Sequence, residues 1–216
     1  DYVRFIHNLF AFNDSNPQPP ANARFRVRNP KYIPENQITQ CLVTKRANIG
    51  KERKILVNIL NFVLMPNHFH LLLQQETDYG IQRFMHKIGM GYSRHFNEKY
   101  KRTGRLFQGT YKAVPIEHDR QLLHLPYYIH LNPLDLKYPW WRKNDLPNYK
   151  KALQFLETYR WSSYQDYVGK KNFPSVTQRD FLIEFLGGEA RHKKDTRKWL
   201  KERERNLKVM GDIILE

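Results

Sequence analysis

Eight of the eleven residues from Lys54 to Leu64 are Ile, Leu, Val or Phe. A run this apolar and this short reads as a strand covered on both faces. Met65-Pro66-Asn67 follows as a turn signal. His68 to Gln74 alternates briefly and then turns apolar, which predicts a return strand with His68 at its start. The hairpin cannot stand in water alone, so the rest of the chain must supply elements that bury it.

Those elements are predicted to be mostly helices. Tyr2 to Phe12 carries Val3, Phe5, Ile6, Leu9 and Phe10 at helical spacing. Asn13 to Pro34 holds five prolines and reads as an irregular loop, part of an insertion over 13–48. Asp78 to Tyr100 predicts a helix capped by Asp78, with Ile81, Phe84, Met85, Ile88, Tyr92 and Phe96 on one stripe. Arg83, Lys87 and Arg94 share another face, and Gly89 and Gly91 weaken the middle. Arg105 to Ile116 reads as a further strand. His118 to Asn132 reads as a helix interrupted by Pro126 and stopped by Pro133. Beyond Lys150 short helices are expected. One runs from Thr177, as its cap, to Leu186 and ends at Gly187-Gly188, and a charged one covers Glu189 to Lys208. The order gives an α+β fold: a central antiparallel sheet flanked by helices, with a helical C-terminal tail. The expected organisation is a domain over 1–136 and a helical extension over 137–216 packed on it.

Composition narrows the partners. Lys and Arg outnumber Asp and Glu by 37 to 21, for a net charge of +16. A field of that sign draws polyanions, nucleic acid first among them. The single cysteine, Cys41, cannot form an internal disulfide, which fits a cytoplasmic protein. No apolar stretch approaches the roughly 20 residues of a membrane span.

Two short motifs carry chemistry. In His68-Phe69-His70 the two imidazoles project from one face of a strand while Phe69 points to the other. Two neighbouring neutral imidazoles make half of a divalent metal site, although a bare His-x-His is as readily a pair of surface histidines. Tyr128 and Asn132 lie four apart on a helix, so a phenol and a carboxamide share a face. The carboxamide oxygen could complete the metal site; equally, Tyr128 could be a core tyrosine and Asn132 a helix cap. Tyr127 is the natural rival nucleophile, but its partner four residues on is Leu131. A tyrosine can attack a phosphodiester and conserve the bond as a phosphotyrosine, with a divalent ion neutralising the phosphate. His124, one turn before Tyr128, is an accessory candidate.

The segment Val63-Leu64-Met65-Pro66-Asn67-His68-Phe69-His70-Leu71-Leu72 resembles the HUH hairpin of single-tyrosine transposases. Arg105-Leu106-Phe107-Gln108-Gly109-Thr110-Tyr111-Lys112 is similar to the following strand of that family. Tyr128-Ile129-His130-Leu131-Asn132-Pro133 is similar to its nucleophile helix. Tyr159-Arg160-Trp161-Ser162-Ser163-Tyr164 resembles the REP-associated tyrosine transposases. The resemblance implies that His68, His70 and Asn132 bind Mg²⁺ or Mn²⁺. It implies that Tyr128 attacks the scissile phosphate and keeps the 5′ end. It further implies single-stranded DNA beside hairpins as substrate, a monomer or homodimer, and a nucleoid-associated location in a prokaryote. The family has a strand before its first helix, and this chain starts too late to contain it.

DNA contacts are expected from Arg83, Lys87, Arg94, Lys99, Tyr100, Lys101, Arg102, Arg105 and Lys112, where cations would hold phosphates and Tyr100 would stack on a base. Two other readings compete with a transposase. A domesticated protein of the same fold would bind hairpin DNA without cutting it. An unrelated metallohydrolase would use the two histidines with water as nucleophile.

Overall fold

The computed structural model describes residues 1–16, 53–143, 146 and 148–211. The predicted loop beyond residue 16 and Cys41 lie outside the described residues. Among the latter there are eight α-helices and one two-stranded antiparallel sheet, an α+β fold with a helical C-terminal part. The elements are α1 (Tyr2–Ala11), β1 (Val57–Leu64), β2 (Phe69–Gln75), α2 (Gly80–Tyr100), α3 (Asp119–Leu131), α4 (Tyr149–Thr158), α5 (Tyr164–Tyr167), α6 (Asp180–Phe185), α7 (Glu189–Lys201) and α8 (Arg203–Gly211). Two 3-10 turns, Asn132–Leu136 and Trp141–Lys143, follow α3. No described helix is long and apolar enough to cross a membrane.

The chain forms two compact units that interleave along the sequence. The first comprises Asp1–Asn58, Leu73–Lys112 and Phe173–Thr177; the second comprises Ile59–Leu72, Ala113–Asn172 and Gln178–Glu216. In the first unit, α1 buries Val3, Phe5, Ile6 and Leu9, and α2 buries Phe84, Met85 and Ile88. Gly91 is where the two helices need a residue without a side chain: a Cβ there would lie 2.3 Å from the Phe12 ring. Asn13 ties the end of α1 to the start of β1, its Oδ1 accepting from the Leu56 and Val57 amides at 3.0 Å each.

The start of α2 departs from expectation. Asp78 does not cap it; Tyr79 does, in the left-handed region at φ 55°. A tight turn, with the Gly80 amide donating to the Thr77 carbonyl at 2.8 Å, brings the chain into the helix two residues late. Gly80 then sits against the Leu56 carbonyl, where a Cβ would lie 2.2 Å from the oxygen. That oxygen also accepts from the Glu76 amide at 3.1 Å, so it has little room to move. Gly80→Ala is therefore expected to destabilise the protein by about 1–3 kcal/mol, the usual cost of overpacking, read as a lower urea midpoint.

β1, which enters the second unit at Ile59, is buried at every position but Asn58, which explains its largely apolar run. The segment 161–163 lies along it: Val63 and Ser162 form an antiparallel bridge, and the Leu64 amide donates to the Trp161 carbonyl at 2.8 Å. Around it the core gathers Tyr127, Tyr164, Tyr167, Trp141, Leu156, Leu182 and Trp199.

Four further expectations are corrected. Arg105 to Ile116 forms no strand. Its apolar residues are largely in water, with Tyr111 and Val114 41% and 48% exposed, and Gly104 turns the chain at φ 87°. β-propensity without a buried face does not make a strand. Pro126 does not interrupt α3, which runs unbroken to Leu131. The five residues after it, Tyr127 to Leu131, are all buried, and their burial outweighs the roughly 3 kcal/mol a helical proline costs. As read from the sequence, the α-helix ends before Pro133, which sits at the start of a 3-10 turn, where its missing amide is not needed. Thr177 does not cap α6, which starts three residues later with Arg179 as cap residue, although the end at Gly187-Gly188 is as read. The helix over Glu189 to Lys208 is two helices that break at Glu202.

Candidate active site

His68, His70, Tyr128 and Asn132 all belong to the second unit. The β1–β2 turn carries His68 just before β2 and His70 within it. Their rings meet edge to face with centroids 5.1 Å apart. His68 is exposed, and its Nδ1 lies 2.8 Å from Oδ1 of Asn67. That oxygen can only accept, so in the neutral ring Nδ1 carries the proton and Nε2 is the atom with the lone pair. The sequence reading gave Asn67 only a turn role; here it sets a tautomer suited to ligation.

His70 in turn meets the Tyr128 ring edge to face at 6.0 Å. Helix α3 presents Tyr128 nearly buried, 8% exposed. Asn132 ends the helix and is 2% exposed. Its Nδ2 donates to the Tyr128 carbonyl at 2.9 Å, so the carboxamide caps the helix and holds the backbone of Tyr128. Its Oδ1 accepts from the Arg142 guanidinium at 3.0 Å. The cap reading and the ligand reading of Asn132 are thus compatible, since a carboxamide oxygen has two lone pairs and Arg142 uses one.

Arg142 was not singled out from the sequence. It forms an ion pair with Asp135 through two hydrogen bonds, Nε to Oδ1 at 3.1 Å and a terminal nitrogen to Oδ2 at 2.9 Å. Its guanidinium lies 5.2 Å from the Tyr128 ring centroid and 4.6 Å from that of Trp141. The Trp141 indole also donates to Asp135, at 2.6 Å. A sequence hint existed in Asp135, three residues after Asn132 and so on the same side of a 3-10 turn.

Tyr127 faces the other way. It is buried, stacks on His192 at 4.8 Å, and burial pushes its phenol well above the usual range. It is therefore a poor nucleophile as well as a hidden one. Behind it runs a buried polar chain. His192 Nε2 lies 3.3 Å from His130 Nδ1, His130 Nε2 lies 2.9 Å from Ser163 Oγ, Ser163 Oγ donates to Asn61 Oδ1 at 3.2 Å, and Asn61 Nδ2 donates to the Pro126 carbonyl at 3.3 Å. One direction of donation, from His192 through His130 and Ser163 to Asn61, satisfies every link with both imidazoles neutral. None of this cluster was given a role from sequence. His124 is engaged as well, its Nδ1 accepting from the Trp199 indole at 3.2 Å, and burial lowers its pKa.

Among the described residues no group of three His, Cys, Asp or Glu could hold a metal. The donor set expected from the sequence, His68, His70 and Asn132, offers two imidazole nitrogens and a carboxamide oxygen. Two nitrogens and one oxygen suit a divalent ion with open positions left for a substrate.

The expected DNA contacts, Arg83 to Lys112, lie in the first unit. Several are already engaged. Lys87 donates to the Asp14 carbonyl, Arg94 pairs with Glu98 at 2.8 Å, and Lys99 pairs with Asp1 at 2.9 Å. The Tyr100 hydroxyl also donates to Asp1. Arg102 lies over the Phe96 ring at 5.6 Å, and Lys101 ends α2 at φ 51°. Arg83, Arg105 and Lys112 are exposed.

A family model described as transposase IS200-like matches residues 27–132. The chain matches no curated protein and no solved structure.

Proposed function

We propose, from the match of residues 27–132 to the IS200-like transposase family, that this chain cuts and rejoins DNA, as a single-strand DNA endonuclease and strand transferase with Tyr128 as nucleophile. The Tyr128 oxygen attacks the scissile phosphorus. A bond from the phenolic oxygen to phosphorus forms, the bond to the 3′ oxygen breaks, and the phenolic proton ends on the departing 3′ hydroxyl. The 5′ end stays on the protein until a 3′ hydroxyl from another strand attacks it and returns the tyrosine, so no energy source is consumed. A Mg²⁺ or Mn²⁺ ion held by His68, His70 and Asn132 would supply charge neutralisation at the phosphate. The substrate is single-stranded DNA beside a hairpin, in keeping with the likeness of Tyr159 to Tyr164 to the REP-associated group. The net charge of +16 suits such a polyanion.

One observation carries this reading. His68, His70 and Tyr128 form an unbroken series of ring contacts, and Asn132 holds the Tyr128 carbonyl. The test is to incubate the protein with end-labelled single-stranded hairpin DNA and Mn²⁺ and to map the covalent product by mass spectrometry. The expected product is a 5′-linked DNA on the peptide containing Tyr128, formed with Mn²⁺ and lost with chelator. Cleavage to two free ends with no protein-linked product would replace this reading by a metallohydrolase that uses water.

A further inference from the structure

We propose that Arg142 is a positioning residue for Asn132, kept charge-neutral by Asp135, and that together they preset the carboxamide oxygen for a divalent ion; the inference rests on the metal-dependent reading above. Asn132 is held at both ends, by the Tyr128 carbonyl through Nδ2 and by Arg142 through Oδ1. A terminal amide restrained so cannot flip, and its remaining oxygen lone pair keeps one direction. An unpaired guanidinium beside a dication would repel it. Here two hydrogen bonds to Asp135 offset that charge, and the Trp141 indole fixes the same carboxylate at 2.6 Å. The guanidinium also lies over the Tyr128 ring, so one side chain orients both the ligand and the nucleophile. The planar fork makes two bonds to Asp135 and one to Asn132 at fixed angles, a geometry that a lysine ammonium on its flexible stem does not reproduce.

Simple electrostatics makes the opposite prediction for removing Arg142. Deleting a positive charge and freeing a carboxylate would tighten binding of a cation. Loss of positioning weakens it, by about tenfold if Arg142 behaves as other groups that orient metal ligands. The experiment is calorimetric titration of Mn²⁺ into the whole protein without DNA, for wild type, Arg142→Ala, Arg142→Lys and His70→Ala. The expected result is a site abolished in His70→Ala and weakened about tenfold in both Arg142 variants. Wild-type or tighter affinity in Arg142→Ala overturns the proposal alone, whatever its melting temperature. Should Arg142→Ala fail to fold, Arg142→Lys decides, because it keeps the charge and the stem and loses only the fork; wild-type affinity there overturns the proposal. A wild-type protein with no His70-dependent site overturns the metal reading and this proposal with it.

Discussion

Tyr128→Phe protein, mixed with single-stranded hairpin DNA and Mn²⁺, will form covalent product at least about 10³-fold more slowly than wild type, because the attacking oxygen is gone. The ring stays, so its contacts with His70 and Arg142 stay, and Mn²⁺ affinity should not change. Tyr127→Phe is the matched control. Its ring is buried and stacked on His192, and removing the hydroxyl should leave the rate within a few-fold of wild type. Product lost only in Tyr127→Phe would move the nucleophile by one residue and refute the assignment. Both rates are read on a denaturing gel, with DNA binding measured in parallel to separate chemistry from affinity.

The second large effect is on stability and comes from His130 and His192. Both are fully buried and neutral. Burial holds the pKa of His192 down to about 3, and burial together with the neighbouring His192 holds that of His130 well below the ordinary 6.5. In the unfolded chain each takes up a proton near pH 6.5. Below that pH the unfolded state binds protons that the folded state refuses. The stability is therefore complete above about pH 7 and falls as the pH drops through 6.5. Each histidine costs about 1.4 kcal/mol per pH unit, so between pH 7.5 and 5.0 the pair removes about 4 kcal/mol. Urea titrations at the two pH values measure it. His95, in the first unit, shifts in the same sense, to about 4. The variant carrying both His130→Asn and His192→Gln isolates the pair, since it should lose most of the dependence. Equal stability at both pH values in wild type would contradict the buried chain of hydrogen bonds.

What could be read from the sequence follows from where the physics is local. The hairpin was legible because a strand buried on both faces is largely apolar, and a Met-Pro-Asn turn follows it. The stripe of α2 was legible from its period: Phe84, Met85 and Ile88 are buried, and Ile81, Tyr92 and Phe96 are half-buried. The spacing of His68 with His70 and of Tyr128 with Asn132 follows from strand and helix geometry alone. Arg142 was not legible, because ten residues and two 3-10 turns separate it from Asn132 and no period links them. His130 stood inside a quoted motif without a role. Its partners Ser163 and His192 come from distant positions that only the fold brings near. The supposed strand at Arg105 to Ile116 shows the converse error, a local preference with no buried surface to satisfy it.

The bridge between Val63 and Ser162 bears on how ancestry and architecture are divided in this chain. The family match ends at residue 132, yet the strand that leads to His68 has part of its backbone hydrogen bonding completed by residues thirty positions further on. The family match and the folded unit therefore have different boundaries here. The later segment is a built-in sheath for the strand that leads to His68, so changes in it reach the candidate site through the scaffold without touching His68, His70 or Tyr128.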